Sequence, residues 1–242
     1  MLDKLIIYSD DDLLIANKPP RLLTTPVEGV SEQSLLDVLR AGGQQIQAVH
    51  RLDRDTTGLV IFTKHRAAEI RMTKLMSTRQ IQKQYQALAQ GWVTPKSGEL
   101  TLSIRDLGAS ACISRSGKPA RTVYTTVRRI GPCSLLNVNI ETGRHNQIRL
   151  HFAHMGHPLV GERKFALGKW GLIRHRRVLL HASKLLIPAT GDGEDLVITA
   201  PLPDDFQRGI EAAERTPCAK DPGHMSSDGL FTTERRLRHR QR

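Results

Sequence analysis

The stretch His50-Arg51-Leu52-Asp53-Arg54-Asp55-Thr56-Thr57-Gly58-Leu59, continuing into Val60-Ile61-Phe62, sets a carboxylate between two arginines just before an apolar strand. Guanidinium neighbours favour the ionised form of Asp53, an anion then available as a nucleophile or a proton acceptor. The arginines could equally face phosphate. Taken alone, the same residues also fit a polar turn in which Asp53 and Asp55 satisfy local N–H groups and Arg51 and Arg54 are solvated. The rest of the chain decides between these readings.

Upstream, Lys4 to Ser9 and Leu13 to Asn17 read as strands around the turn Asp10-Asp11-Asp12, with Lys18-Pro19-Pro20 ending the second. After Ser31, an expected N-cap, Leu35, Leu36, Val38 and Leu39 suit a short helix stopped by Gly42-Gly43. Downstream, Leu59 to Thr63 is a strand. Arg66 to Thr78 has helical spacing through Ala67, Ile70, Leu75 and Met76, and Lys83 to Ala89 alternates as a half-buried strand does. Strands follow at Arg121 to Arg128 and Ser134 to Ile140, closed by Glu141-Thr142-Gly143. Asn146 to Met155 is a helix with Ile148, Leu150 or His151, and Phe152 inward. Arg177 to Leu186 and Asp195 to Ala200 complete the strands before a short terminal helix. Many strands with interspersed helices, in no regular βαβ alternation, give an α+β fold.

The chain has 242 residues and a formal charge of +12. Residues 211 to 242 hold seven Lys/Arg against five Asp/Glu, so +10 of that charge falls on residues 1 to 210. A basic folded body points to a polyanion, nucleic acid first. No stretch approaches the ~18 to 20 consecutive apolar residues of a membrane span, and Met1-Leu2-Asp3-Lys4 does not start a signal peptide. Cys112, Cys133 and Cys218 show neither a disulfide framework nor a zinc ribbon. A soluble, cytoplasmic protein is expected, with residues 1–212 as one catalytic domain and 213–242 as a basic, disordered tail.

Several motifs in order carry a family resemblance between Tyr8 and about Phe206. The stretch His50 to Leu59 resembles the signature of the RluA-type pseudouridine synthases, which isomerise uridine in ribosomal or transfer RNA. Ile15-Ala16-Asn17-Lys18-Pro19-Pro20, Lys83-Gln84-Tyr85, Gly143 to Phe152 and Leu180-His181-Ala182 resemble that family's other motifs. The resemblance implies the pseudouridine synthase fold, a mixed, largely antiparallel central sheet around a catalytic cleft with flanking helices. It also implies base flipping without a cofactor. Residue by residue, it makes Asp53 the catalytic carboxylate and Arg149 its bidentate partner, holding it ionised. Tyr85 becomes the base-pocket tyrosine, whose ring stacks on uracil and whose hydroxyl helps remove the carbon 5 proton. Arg51 would fill the stack where the target base leaves. Arg54, Lys18, Arg144 and Lys164 are further candidate RNA contacts, with a solvated face as the alternative. The chain departs from the pattern at Arg21 and at His145-Asn146. With no small RNA-binding module ahead of the catalytic domain, recognition is expected to fall to that domain and the tail.

Two other groupings invite a functional reading. His145, His151, His154 and His157 have helical spacing, but no Asp, Glu or Cys completes a metal shell and Gly156-His157-Pro158 should break the helix, so no metal is expected. Arg163 to Arg177, with Lys164, Lys169, Arg174, Arg176, Phe165 and Trp170, reads as a basic RNA-facing loop. The rivals to an isomerase are a non-catalytic RNA-binding protein and a metal-dependent RNA hydrolase using the histidines. Asp53, Tyr85 and Arg149 together disfavour the first, because RNA affinity alone requires no anion in a phosphate-binding cleft. A monomer is the expected state, since no heptad or dimer stripe is visible.

Overall fold

A computed structural model describes residues 4–108, 110–166, 173–189 and 193–218. In chain order the strands are β1 (Ile6–Ser9), β2 (Leu13–Lys18), β3 (Gln47–Ala48), β4 (Thr57–Thr63), β5 (Gln82–Gln90), β6 (Ser97–Leu100), β7 (Ile104–Asp106), β8 (Ala111–Ile113), β9 (Thr122–Ile130), β10 (Cys133–Ile140), β11 (Leu180–Ile187) and β12 (Leu196–Thr199). The helices are α1 (Leu35–Ala41), α2 (Arg66–Ser77), α3 (Gln147–His154) and α4 (Asp204–Arg215). One ten-stranded sheet runs β1-β2-β4-β11-β5-β10-β9-β6, with β12 added on β11 and β3 on β4; β7 and β8 pair separately. Every pairing in the large sheet is antiparallel except β4 with β11, which touch only through His181↔Thr57 and Ala182↔Gly58.

That short parallel seam fixes the centre of the molecule. Strands β2 and β4 are covered on both faces and therefore read as continuous apolar runs instead of alternating ones. On one face Leu14, Ala16, Val60 and Phe62 pack with Leu35 and Leu39 of α1 and with Ile148 and Phe152 of α3. On the other, Leu13, Ile15, Leu59 and Ile61 pack with Met72 and Leu75 of α2. Phe206, Ile210 and Ala213 of α4 cover Leu88 and Leu179.

Four details differ from the sequence expectations. The N-cap of α1 is Ser34, not Ser31: its hydroxyl accepts the Asp37 N–H at 3.2 Å while the Asp37 carboxylate accepts the Ser34 N–H at 2.9 Å. The inward face of α2 is Ala68, Met72 and Leu75, which leaves Ile70 58% exposed, one residue round from the face read off the sequence. Strand β11 begins at Leu180, because Arg177 is diverted into a buried ion pair. Helix α4 continues to Arg215, past the boundary drawn at 212, since Ala213 is fully buried. The arginine-rich end of the tail lies outside the described residues.

Candidate active site

The segment carrying Asp53 is held from behind by its backbone, which leaves its side chains to the front. Leu52 is buried and exchanges hydrogen bonds with Thr24, whose Oγ1 donates to the Leu52 carbonyl at 2.9 Å and accepts its N–H at 3.0 Å. The Thr56 N–H closes a turn onto the Asp53 carbonyl at 3.0 Å. Lys18 is fully buried, and its Nζ donates to the carbonyls of Pro19 (3.1 Å), Leu22 (2.7 Å) and Arg54 (2.9 Å). Arg177, also buried, donates to the Asp55 carbonyl at 3.1 Å and is itself gripped by Asp205 of α4 at 2.5 and 2.7 Å. Two consecutive carbonyls after Asp53 thus rest on two buried cations. Where the segment enters β4, Gly58 has φ +111°, and a Cβ there would lie 2.2 Å from the Ala182 carbonyl oxygen. Only glycine lets β4 and β11 approach this closely.

In front of this segment lies a cleft of about 430 Å³, within the usual range for a small-molecule or nucleotide site. Asp53, 26% exposed at its side chain, shares it with Tyr85 of β5, Arg149 of α3 and the turn from Gly143 to Asn146. Tyr85 is buried. Burial, and then the Asp53 charge, push its hydroxyl well above the ordinary tyrosine range. The phenol is held in its neutral form, offering a ring to stack on and a hydroxyl to bond with.

Arg149 does reach Asp53, but not as a bidentate partner. Its Nη1 lies 3.6 Å from Asp53 Oδ2 and donates to Asn146 Oδ1 at 2.7 Å. The two-point grip is on Glu162, by Nε at 2.7 Å and Nη2 at 3.0 Å, and the guanidinium lies 5.0 Å from the Phe165 ring centre. Burial by itself would weaken the Arg149 charge, yet the hydrogen bonds and charge of Glu162, joined by Asp53, together outweigh it and the pKa ends raised. Glu162 was not anticipated. Its side chain is wholly buried, and burial, which favours the neutral acid, is overcome by Arg149 and by the N–H groups of Lys164 (2.8 Å) and Phe165 (3.1 Å), leaving its pKa lowered. Gly161, at φ +83°, makes the turn that delivers Glu162 inward; a Cβ there would sit 1.8 Å from the Arg177 carbonyl.

The other anticipated residues divide. Arg51 lines the cleft, is exposed and has no ion pair among the described residues. Arg144 also lines it, with its Nε on the Pro119 carbonyl at 3.1 Å. Arg54 points elsewhere, 2.8 Å from Glu32. Lys164 is exposed beside the Phe165 ring at 5.7 Å and is not part of the cleft wall. Lys18 cannot touch a phosphate from inside the protein; burial lowers its pKa to about 7, so its work is to hold carbonyls. The grouped histidines disperse: His145 meets Asp106 at 3.2 Å, His151 faces the Leu102 carbonyl at 3.3 Å and His157 the Gln90 carbonyl at 2.9 Å. In the expected basic loop Arg177 is buried with Asp205, while Lys169 and Trp170 lie outside the described residues. His50, in the signature, accepts the Ile61 N–H at 3.1 Å, and burial followed by the nearby Lys83 charge depresses its pKa to about 3, so it is neutral. No helix among the described residues is long and apolar enough to cross a membrane.

Comparison with known proteins gives this arrangement a context. A human protein titled RNA Pseudouridylate Synthase Domain Containing 4 superposes with a TM-score of 0.72 at 22% identity, over 89% of this chain and 95% of its own. Ribosomal large subunit pseudouridine synthase D of Haemophilus ducreyi is 33% identical over 232 residues, 86% of this chain and 70% of that protein. The protein of the same name from Salmonella typhimurium is also 33% identical, over 86% and 69%. The sequence profile described as RNA pseudouridylate synthase matches residues 12–154, a span holding Asp53, Tyr85 and Arg149. On these matches the chain belongs to the RNA pseudouridylate synthases, and its activity is the isomerisation of uridine to pseudouridine in RNA.

Proposed function

We propose that the chain modifies a uridine of the large-subunit ribosomal RNA, with Asp53 as the catalytic carboxylate, Tyr85 in the base pocket, Arg149 as partner of Asp53 and Arg51 filling the stack vacated by the flipped base. The ribosomal assignment rests on the names of relatives one third identical over most of this chain. It carries with it a cytoplasmic location and a monomer working without cofactor or metal. Isomerisation breaks the bond from uracil N1 to the ribose, turns the base, joins carbon 5 to the same sugar carbon and moves the carbon 5 proton to nitrogen. Nothing is gained, lost or oxidised, so the demands are a carboxylate beside the sugar and a pocket that keeps the freed base.

The observation that supports this most is the convergence of Asp53, Tyr85 and Arg149, from a loop, a strand and a helix far apart in sequence, on one cleft. Arg149, fixed by Glu162, can orient Asp53 without neutralising it. Arg51, an exposed planar cation at the mouth, can offset part of the few kcal/mol of unstacking that flipping requires. The test is single-nucleotide pseudouridine mapping of ribosomal and transfer RNA from cells lacking the protein, complemented by wild type or Asp53→Asn. Loss of a large-subunit site, restored by wild type alone, is expected. Restoration by Asp53→Asn would remove Asp53 from the chemistry, and loss of a transfer RNA site instead would replace the substrate.

A further inference from the structure

Lys83 is the remaining charged side chain of the cleft with no assigned work. It is the lone lysine in the cleft wall, two residues before Tyr85 on β5. Residues two apart on a strand share a face and stand about 6.7 Å apart, so Lys83 looks into the same space as Tyr85, one step further along. Its side chain is half-buried. Among the described residues no carboxylate, hydroxyl or carbonyl pairs with it. The cations buried around the site differ: Arg149 is matched by Glu162, Lys18 by three carbonyls, Arg177 by Asp205.

The surroundings do not compensate. Burial lowers the Lys83 pKa, and no carboxylate among the described residues lies within ion-pair distance of its ammonium. His50, the neighbour whose titration Lys83 disturbs, is neutral. Opposite Lys83 the wall is Gly143, where a Cβ would meet a single atom within 4 Å, Lys83 Nζ at 3.9 Å. The backbone of Gly143 is outside the left-handed region, so a larger residue could stand there without strain. Glycine at this point leaves open the space in front of the ammonium. A cation withdrawn from water without a partner costs stability, and a ligand that brings the opposite charge recovers it.

We infer that Lys83 and Gly143 form a phosphate subsite, which takes one of the two backbone phosphates flanking the flipped uridine while its base lies against Tyr85. The inference rests on the RNA substrate proposed above. Anchoring that phosphate next to the base pocket would make the flipped state, not the stacked one, the state that is bound.

The experiment uses the full chain in the Asp53→Asn background, to prevent turnover, and a synthetic hairpin carrying the mapped uridine. Charged phosphates within three nucleotides of it are replaced one at a time by neutral methylphosphonate. Neutralising a flanking phosphate should weaken binding about tenfold, as for a lost charge-assisted contact. Adding Lys83→Met should weaken binding of the unmodified hairpin by a similar factor and abolish the response at that phosphate. Gly143→Val, which keeps the charge and fills the space, should do the same. Lys83→Met should also melt higher than its parent, because an unpaired, half-buried cation is replaced by an apolar chain of similar length. Equal sensitivity to the flanking methylphosphonates with and without Lys83, coupling only at a remote phosphate, or a lower melting temperature for Lys83→Met would each overturn the inference. Failure of the wild-type protein to convert the hairpin would refute the substrate reading, and the subsite with it.

Discussion

Substituting Glu162→Gln tests the electrostatic frame of the site, because each carboxylate oxygen has an identifiable job. Oε2 accepts Arg149 Nε at 2.7 Å; Oε1 accepts Arg149 Nη2 at 3.0 Å and the N–H groups of Lys164 and Phe165. A glutamine must turn its amide nitrogen toward one set or the other. In the better orientation a donor faces the Arg149 Nε–H across 2.7 Å, and the buried guanidinium keeps the Oε1 position for Nη2, Asn146 and the looser Asp53 contact at 3.6 Å but loses the Nε bond and the charge that matched it. Removing one partner from a buried pair costs about 3–5 kcal/mol. For a domain of this size that is a fall in melting temperature of roughly 6–20 °C. Thermal melts of Glu162→Gln, Arg149→Met and the double variant measure it. The double variant should be more stable than the sum of the singles predicts by about 2 kcal/mol, since it strands no charge. Isomerisation should fall in Glu162→Gln even well below its melting temperature, because Arg149 is then free to close on Asp53. A Glu162→Gln protein melting within about 2 °C of wild type, or singles that simply add, would refute the reasoning.

Further outcomes follow from the other buried charges. The folded pKa of Lys18, about 7, is below the 10.5 of an unfolded lysine, so the unfolded chain holds the extra proton between those values and stability rises with pH across that window. The stability difference between wild type and Lys18→Met, from denaturant melts at successive pH values, should grow in favour of wild type from pH 7 to 10.5. His181 is buried against Thr57 Oγ1 at 2.9 Å, and burial depresses its pKa from 6.5 to about 4. Its contribution is therefore lost as pH falls through that window, and His181→Gln should flatten the acid limb of the stability profile. Removing residues 219–242, with six Lys/Arg against three Asp/Glu, should lower RNA affinity and reduce its salt dependence, as read by titrations at several ionic strengths.

Much of the fold was legible because its strands are bounded by polar turns and β2 and β4 carry the unbroken apolar runs Leu13–Ala16 and Leu59–Phe62. The antiparallel pairing of β9 with β10 and the covering of β2 and β4 follow from such patterns. The inward face of α2 was not legible: Ala67 and Ala68 are equivalent in character, and Ile70 against Met72 gives no decisive apolar stripe. The short strands β3 and β6 depend on the partners β4 and β9, and β7 and β8 are three-residue strands too short to show a period. Asp53, Tyr85 and Arg149 were found through motifs and do share the cleft. Lys18 and Arg177 were read as RNA-facing cations and are instead buried supports, since charge alone does not reveal which side of the backbone a side chain takes. Glu162, in Val160-Gly161-Glu162-Arg163, looks like an ordinary surface loop acid. The sole local hint is Gly161, and what that glycine approaches is the carbonyl of Arg177, sixteen positions later in the chain.

The position of β11 has a consequence for how the chain is made. This strand lies mid-sheet, joining β4 on one side to β5 on the other, yet it is nearly the last strand synthesised. After Gln90 leaves the ribosome, roughly 90 further residues must follow before Leu180 does, about 5–20 s at ordinary elongation rates. For that interval the facing edges of β4 and β5 are complete but unjoined, the first of them carrying the apolar run Leu59–Phe62, and an unpaired apolar edge is a template for a second nascent chain. The RNA pseudouridylate synthase profile ends at residue 154, before β11, so a fragment cut there would be left permanently in that open state. A fragment ending at residue 154 is therefore expected to be less stable than the full chain, because it lacks the strand that joins β4 to β5.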